Sequence, residues 1–150
     1  MMIASDAIPL LTLPDRYGAP LAEYYFSPRH SLLYVRWHGN LTAAEVIKGV
    51  MEGTQWLEKY HVTRVLNDKS DATGDWVEAL PWLQYEWLPQ AVAAGLKAVA
   101  YILPPVLEAQ IVSQKFVEAV RDQIQIALFT NETDAQHWLE AQEAGPGLIG

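Results

Sequence analysis

The chain has 150 residues, of which 51% are apolar, and this is enough for one globular domain with a buried core. Its formal net charge of −8 disfavours nucleic acid and anionic membranes as partners, because both attract basic surfaces. It contains no cysteine, which excludes disulfides, thiolate catalysis and cysteine-ligated zinc.

The N-terminal segment has the composition of an extended arm. Residues 1–21 lack a basic start, and Asp6, Pro9 and Pro14 interrupt their apolar positions, so they do not match a signal peptide. We interpret them as an arm with at most one short strand. No apolar run in the sequence approaches the roughly 18 residues of a membrane span. We therefore expect a cytoplasmic protein with no integral membrane segment.

The first regular elements are predicted to be a hairpin and a helix. Residues 22–27 and 32–37 are rich in aromatic and branched apolar side chains, as in paired strands. Thr42 and Glu45 have the spacing of a capping box, and apolar residues recur at helical intervals after them. This pattern predicts a helix over residues 43–60.

The centre of the chain combines an acidic stretch with a cluster of aromatic residues. Residues 63–67 are predicted to form a short apolar strand, and residues 68–76 an acidic loop. A second helix is expected over residues 76–94. It should be broken near Pro81 or Pro89, because an interior proline removes a backbone hydrogen bond and clashes with the preceding turn.

The C-terminal half continues the alternation of strand and helix. The nearly continuous apolar run at 97–103 favours a central strand that is covered on both faces. A helix at 107–122 and a strand at 124–129 follow, and Asn131 can cap a final helix. Residues 143–150 are expected to be a flexible tail.

The predicted order of elements, β-β-α-β-α-β-α-β-α, indicates an α/β fold. Alternating strands and helices form a mainly parallel sheet, here with five strands, and the opening hairpin adds one antiparallel strand. Because neither a linker nor a repeat divides the sequence, residues 1–150 are predicted to be a single domain.

Short motifs carry a resemblance to a known family. They are Y-V-R-W-H-G-N-L-T at 34–42, L-N-D at 66–68, G-D-W at 74–76, W-L-P at 87–89, A-G-L at 94–96 and F-T-N-E-T-D-A-Q-H-W-L at 129–139. Over residues 20–142 the chain resembles the SpoIIAA-like, STAS-type domains of sulfate transporters and anti-sigma-factor antagonists. Within them it is similar to bacterial single-domain STAS-like proteins, whose fold is also similar to that of CRAL-TRIO lipid carriers. The resemblance implies a four-turn β/α fold and a binding or signalling role.

The resemblance also implies a candidate modification site. In the anti-sigma-factor antagonists, a serine in a D-S-x-G type motif after the third strand is phosphorylated. The corresponding stretch here reads N-D-K-S-D-A-T-G, which departs from that motif. Ser70 and Thr73 are its only hydroxyl groups, so Ser70 is the candidate phosphorylation site.

The acidic stretch does not match a known metal or catalytic site. Asp68, Asp71 and Asp75 could offer oxygen ligands to a divalent cation, but their spacing is not that of a calcium loop. Carboxylates before a helix more often cap it, and Asp75 is the expected cap. Motifs of zinc proteases, serine hydrolases, dinucleotide sites and P-loops are absent from the sequence. No metal or cofactor is therefore predicted.

The aromatic residues of the second helix give the main indication of function. Trp82 and Tyr85 share one face, whereas Trp87 lies on another, so these side chains cannot all enter one narrow core. Exposed aromatic clusters mark binding surfaces, although a thick core under a kinked helix would also account for them. The predicted partner- or ligand-binding residues are Asp68, Ser70, Trp76, Trp82, Tyr85 and Trp87.

Two binding functions are considered first. One is a non-enzymatic, regulatory STAS-like domain that binds a protein partner or forms a homodimer through the second helix and residues 68–76. The alternative is a carrier of a small apolar ligand or lipid, in which the second helix is a lid lined by Trp76, Trp82 and Tyr85.

An enzyme ranks last among the hypotheses. His38, Asp68 and Ser70 would lie near the carboxyl ends of parallel strands, where open α/β sheets bind ligands. Position in a fold does not by itself specify a reaction. No catalytic residue is therefore assigned.

Overall fold

The computed structural model describes residues 5–143 of the chain. Within this range the chain forms one six-stranded sheet with helices on both faces. The strands are β1 Ile8–Pro14, β2 Pro20–Ser27, β3 Leu32–Asn40, β4 Arg64–Thr73, β5 Ala98–Ile102 and β6 Gln125–Phe129. The helices are α1 Ala43–Tyr60, α2 at residues 77–93, α3 Leu107–Val120 and α4 Glu132–Glu143. Most of the predicted tail at 143–150 lies outside the described residues.

The strands lie side by side in sequence order, from β1 at one edge of the sheet to β6 at the other. β1, β2 and β3 are antiparallel neighbours, whereas β3, β4, β5 and β6 are parallel. The predicted α/β class and the parallel part of the sheet are confirmed. The prediction of five strands was wrong, because the N-terminal arm contributes a sixth.

The additional strand, β1, contains two prolines that obscure it in the sequence. Proline cannot donate to a sheet ladder, so Pro9 and Pro14 argue against a central strand. In the structure β1 is an edge strand that pairs with β2, and its register shifts beside both prolines. Leu10 and Leu13 pack against the core, and their burial holds the strand on the sheet.

Helices α1, α2 and α3 cover one face of the sheet, and α4 covers the other. The larger core contains Val46 of α1, Leu83 of α2 and Phe116 of α3. The smaller core packs Ala135 and Leu139 of α4 against β3, β4 and β5. None of the helices in the described range has the length and apolar character needed to cross a bilayer.

Helix α1 begins as its sequence predicts and lies very close to the sheet. The Thr42 hydroxyl accepts a hydrogen bond from Glu45 N, and the Glu45 carboxylate accepts one from Thr42 N. Gly49 and Gly53 are both buried. A Cβ atom on Gly49 would lie 2.5 Å from Cζ3 of Trp37, so this close approach requires glycine.

Strand β4 continues through residues 68–73, which were predicted to belong to a loop. That prediction was wrong because it rested on local polarity, whereas β3 also extends and pairs with this part of β4. The pairing shifts so that Lys69 and Ser70 together oppose Trp37 in a β-bulge. The Asp68 carboxylate accepts hydrogen bonds from the backbone N–H and the hydroxyl of Ser70, which fixes the bulge.

Helix α2 is continuous but irregular. It begins as a 3-10 turn at Val77–Ala79, is π-helical over Leu83–Trp87 and ends as an α-helix at Leu88–Ala93. The chain stays helical at Pro81 and Pro89, but its hydrogen-bonding pattern changes next to each of them, at Leu80 and at Leu88. Pro81 lies in the first turn of a short α-helical piece. A backbone N–H in a first turn has no partner within the helix, so the absence of one in proline costs no hydrogen bond. The wider π-helical turn before Pro89 relieves the clash with the preceding carbonyl.

Candidate functional site

The aromatic residues predicted to bind a partner or ligand divide into a buried and an exposed group. Trp76 and Trp87 are buried in the larger core, with exposed fractions of 2% and 8%. Trp82 is half-buried against the same core, whereas Tyr85 is 70% exposed. The two sequence interpretations, a thick core and an exposed surface, therefore apply to different residues.

Asp68 lies on the opposite face of the sheet, beneath α4. The hydroxyl of Tyr34, which belongs to the smaller core, donates a hydrogen bond to Asp68 Oδ2 at 2.6 Å. The same hydroxyl lies 3.1 Å from Glu132 Oε1 in the first turn of α4. Burial, and then the hydrogen bond to Asp68, raise the pKa of Tyr34, so its hydroxyl remains a donor. This network fastens α4 to β3 and β4 and is separated by the sheet from the buried tryptophans.

Replacing Tyr34 by phenylalanine should lower the free energy of unfolding by about 1–3 kcal/mol, because a buried carboxylate loses its donor. Tyr25→Phe is the matched control. The Tyr25 hydroxyl bonds to half-buried Glu23 at 2.9 Å, so water can replace it and the loss should be below about 1 kcal/mol. Urea denaturation measures both values. Equal losses in the two variants would contradict a special role for the Tyr34 network.

The residues of the enzyme hypothesis are not arranged as a catalytic group. His38 Nε2 is hydrogen-bonded to the Glu23 carboxylate, and its Nδ1 lies 3.9 Å from Asp71 Oδ2. Asp68 and Ser70 are instead bonded to each other at 2.6 Å. His38 is not hydrogen-bonded to Ser70 or Asp68 in the described part of the chain, so the three residues do not form a triad. The described residues also contain no group of three histidine or acidic side chains that could hold a metal ion.

A buried lysine on the larger-core side of the sheet is the residue that sequence reasoning missed. Lys69 is only 3% exposed. Its Nζ atom lies 4.4 Å from the ring centres of both Trp37 and Trp76, and 5.8 Å from the ring centre of Tyr101. The faces of these rings attract a cation. We refer to Lys69 and these three aromatic residues as the Lys69 cage.

The Lys69 ammonium group is buried without a neutralising charge. It forms no ion pair within the described part of the chain. Burial lowers the pKa of Lys69 from 10.5 to about 7. Each contact with an aromatic face stabilises the ammonium group by roughly 0.5–2 kcal/mol, which offsets only part of the cost of burying a charge. A perturbed titratable group of this kind marks a candidate functional site.

An apolar gap of about 30 Å³ lies next to the Lys69 cage, between α1, the sheet and α2. We call it the α1–α2 gap. Trp37 belongs to both features, because its ring lines the gap and contacts Lys69, while its Nε1 donates to Asn67 Oδ1 at 3.0 Å. Trp87 also lines the gap, and its buried indole N–H has no acceptor among the described residues. Apolar side chains of β3, β4 and α1, such as Leu33, form the remaining lining.

No family model, curated protein or solved structure matches this chain. The resemblance to STAS-like domains therefore stays a prediction from sequence. A function has to be inferred from the geometry, and the Lys69 cage with the α1–α2 gap is the strongest feature for that purpose.

Proposed function

We propose that this protein is a non-enzymatic STAS-like domain that binds a small apolar ligand, with α2 as the lid of the site. The α1–α2 gap carries the proposal. It is an apolar space lined in part by Trp37, which contacts Lys69, and by Trp87, whose buried indole N–H has no acceptor among the described residues. Small-molecule sites have this composition, with mostly apolar walls and a few polar groups that orient the ligand.

The size of the gap indicates a closed state of the site. A space of about 30 Å³ is far smaller than the roughly 300–1,000 Å³ of ligand pockets. Binding therefore requires α2 to move away from α1. The π-helical turn at Leu83–Trp87 places irregular backbone in the middle of the lid, and turns of this kind are frequent at functional sites.

The order of elements supports the STAS-like part of the proposal. The units β3–α1, β4–α2, β5–α3 and β6–α4 agree with the four-turn β/α fold that the resemblance implies.

Native mass spectrometry of freshly purified protein tests the ligand site. We expect the wild type to carry an apolar species that is lost on denaturation. Gly53→Leu should fill the gap and abolish binding, because a Cβ atom there makes ordinary contacts of 3.6 Å with Tyr24 and 3.8 Å with Leu33. Tyr85→Ser, on the exposed side of α2, is the matched control and should retain the ligand. A bare wild-type monomer that also fails to take up added dodecan-1-ol would contradict the proposal.

Self-association through the outer side of α2 is the second candidate function. Tyr85 is 70% exposed, and Val77 and Val92 of the same helix are also exposed. An exposed tyrosine among apolar neighbours is a frequent anchor of protein interfaces. The same spectra should then show a dimer that Tyr85→Ser converts to a monomer and that Gly53→Leu leaves intact.

A further inference from the structure

The unpaired charge of Lys69 points to the chemistry of the missing partner. A buried ammonium group normally has a carboxylate or another acceptor close to it, because an isolated buried charge is costly. Asp68, the neighbouring acid in sequence, is bonded to Tyr34 and Ser70 on the other side of the sheet. Three aromatic rings surround Nζ, and Lys69 forms no ion pair within the described range. The site is thus complementary to an anion that this part of the chain does not supply.

The Lys69 cage and the α1–α2 gap are adjacent along one strand. Asn67 and Lys69 are two residues apart on β4, so their side chains leave the same face and start roughly 7 Å apart. Asn67 lines the gap, and Trp37 contacts both Asn67 and Lys69. A ligand that reaches from the gap to the lysine therefore needs an apolar body and a charged end group.

The charge that Lys69 can offer favours a carboxylate over a phosphate as the head group of the ligand. Lys69 carries at most one positive charge, so it can neutralise one negative charge. A phosphate monoester, with nearly two negative charges at neutral pH, would leave one charge buried without a partner. A carboxylate is neutralised by a single ammonium group. Trp87 also lines the gap and has a buried indole N–H without an acceptor among the described residues.

We infer that Lys69 binds the carboxylate of an amphipathic monocarboxylic acid, such as a fatty acid, whose apolar chain occupies the α1–α2 gap when α2 moves outward. This inference rests on the proposed ligand site and adds to it the chemical class of the ligand and the residue that recognises the head group.

Calorimetric titration with two probes of equal chain length, dodecanoate and dodecan-1-ol, separates head-group recognition from apolar binding. Wild-type protein should bind dodecanoate at least about tenfold more tightly than dodecan-1-ol, the difference that one buried charge pair readily provides. Lys69→Met should lose this preference and bind both probes with the affinity that the wild type shows for the alcohol. Lys97→Met, which removes an exposed lysine, is the matched control and should keep the preference.

The outcomes distinguish the inference from the function on which it rests. Equal wild-type affinities for acid and alcohol, both abolished by Gly53→Leu, would overturn the role of Lys69 and leave the ligand site standing. If Lys69→Met changed the affinities for both probes by the same factor, the role of Lys69 in head-group recognition would also be overturned. The loss of a purely structural lysine would affect both affinities alike. Failure of a folded wild type to bind either probe would overturn the ligand site itself.

Discussion

Replacement of Gly49 by alanine should lower the free energy of unfolding by about 3 kcal/mol, the upper part of the range for overpacked cores. The new methyl group would lie 2.5 Å from Trp37 Cζ3 and 3.4 Å from the Tyr24 hydroxyl oxygen. Neither side chain can withdraw easily. Trp37 is bonded to Asn67 and contacts Lys69, and the Tyr24 hydroxyl donates to the Gly49 carbonyl oxygen at 2.6 Å. Helix α1 would have to move away from the sheet.

Gly53→Ala is the matched control, because Gly53 lies one turn later in α1 and is also buried. Its new methyl group would make ordinary contacts and point into space beside the gap. Alanine is favoured over glycine in a helix by roughly 1 kcal/mol, so this variant should be at least as stable as the wild type. Urea denaturation followed by circular dichroism measures both variants. A Gly49→Ala protein as stable as Gly53→Ala would contradict the close approach of α1 to Trp37.

Replacement of Lys69 by methionine should raise the free energy of unfolding at neutral pH by about 1–4 kcal/mol. Methionine has a similar length and flexibility, so it can fill the cage without bringing a charge into it. The loss of attraction to the rings of Trp37, Trp76 and Tyr101 opposes this gain but is smaller than the cost of burying an unpaired charge. The increase should be seen as a higher urea midpoint with an unchanged slope.

The same lysine should make the wild type more stable as the pH rises. The pKa of Lys69 is lowered to about 7 in the folded protein, from 10.5. Between these values the unfolded state holds a proton that the folded state has released, so the free energy of unfolding increases with pH. Lys69→Met should lack this increase. Equal pH profiles for the two proteins would contradict a change of protonation at Lys69.

The measurement should stay below about pH 10, where ordinary tyrosines begin to ionise. Burial raises the pKa of Tyr24, Tyr34 and Tyr101 in the folded protein. Their contribution to stability is complete below the pKa of an unfolded tyrosine and declines above it. This decline would mask the rise that Lys69 produces.

Local signals in the sequence predicted the local structure well. The capping box at Thr42 begins α1, and Asn131 Oδ1 accepts from Asp134 N at the start of α4. Asp75 Oδ1 accepts from Val77 N, but the N-cap of α2 is Trp76 and no side chain caps it, so the prediction of Asp75 as the cap was wrong by one residue. In each case a side chain bonds a backbone N–H two or three residues away, so adjacent residues contain the whole interaction.

Pairing between distant residues was not predictable in the same way. The second half of β4 pairs with β3, which lies on the other side of α1 in the sequence, and its carboxylates conceal this. β1 pairs with its neighbour β2 across a short turn, and its prolines conceal the strand. Because the predicted strand ended at Asn67, Lys69 was assigned to a loop. In the structure Lys69 continues the alternation by which Val65 and Asn67 face one side of the sheet. For the candidate site, Trp76 and Trp87 were therefore predicted, but Lys69 was missed.

The two edge strands of the sheet differ in how readily they could pair with a strand of another molecule. At β1, Pro9 and Pro14 interrupt the row of backbone donors, and the register shifts beside them. At β6, the segment Gln125–Phe129 contains no proline. β6 is therefore the edge better suited to pair with a second molecule, and a pair joined through β6 would leave the proline-bearing edges outermost. Prolines at those edges oppose the further strand-by-strand addition that builds fibrils.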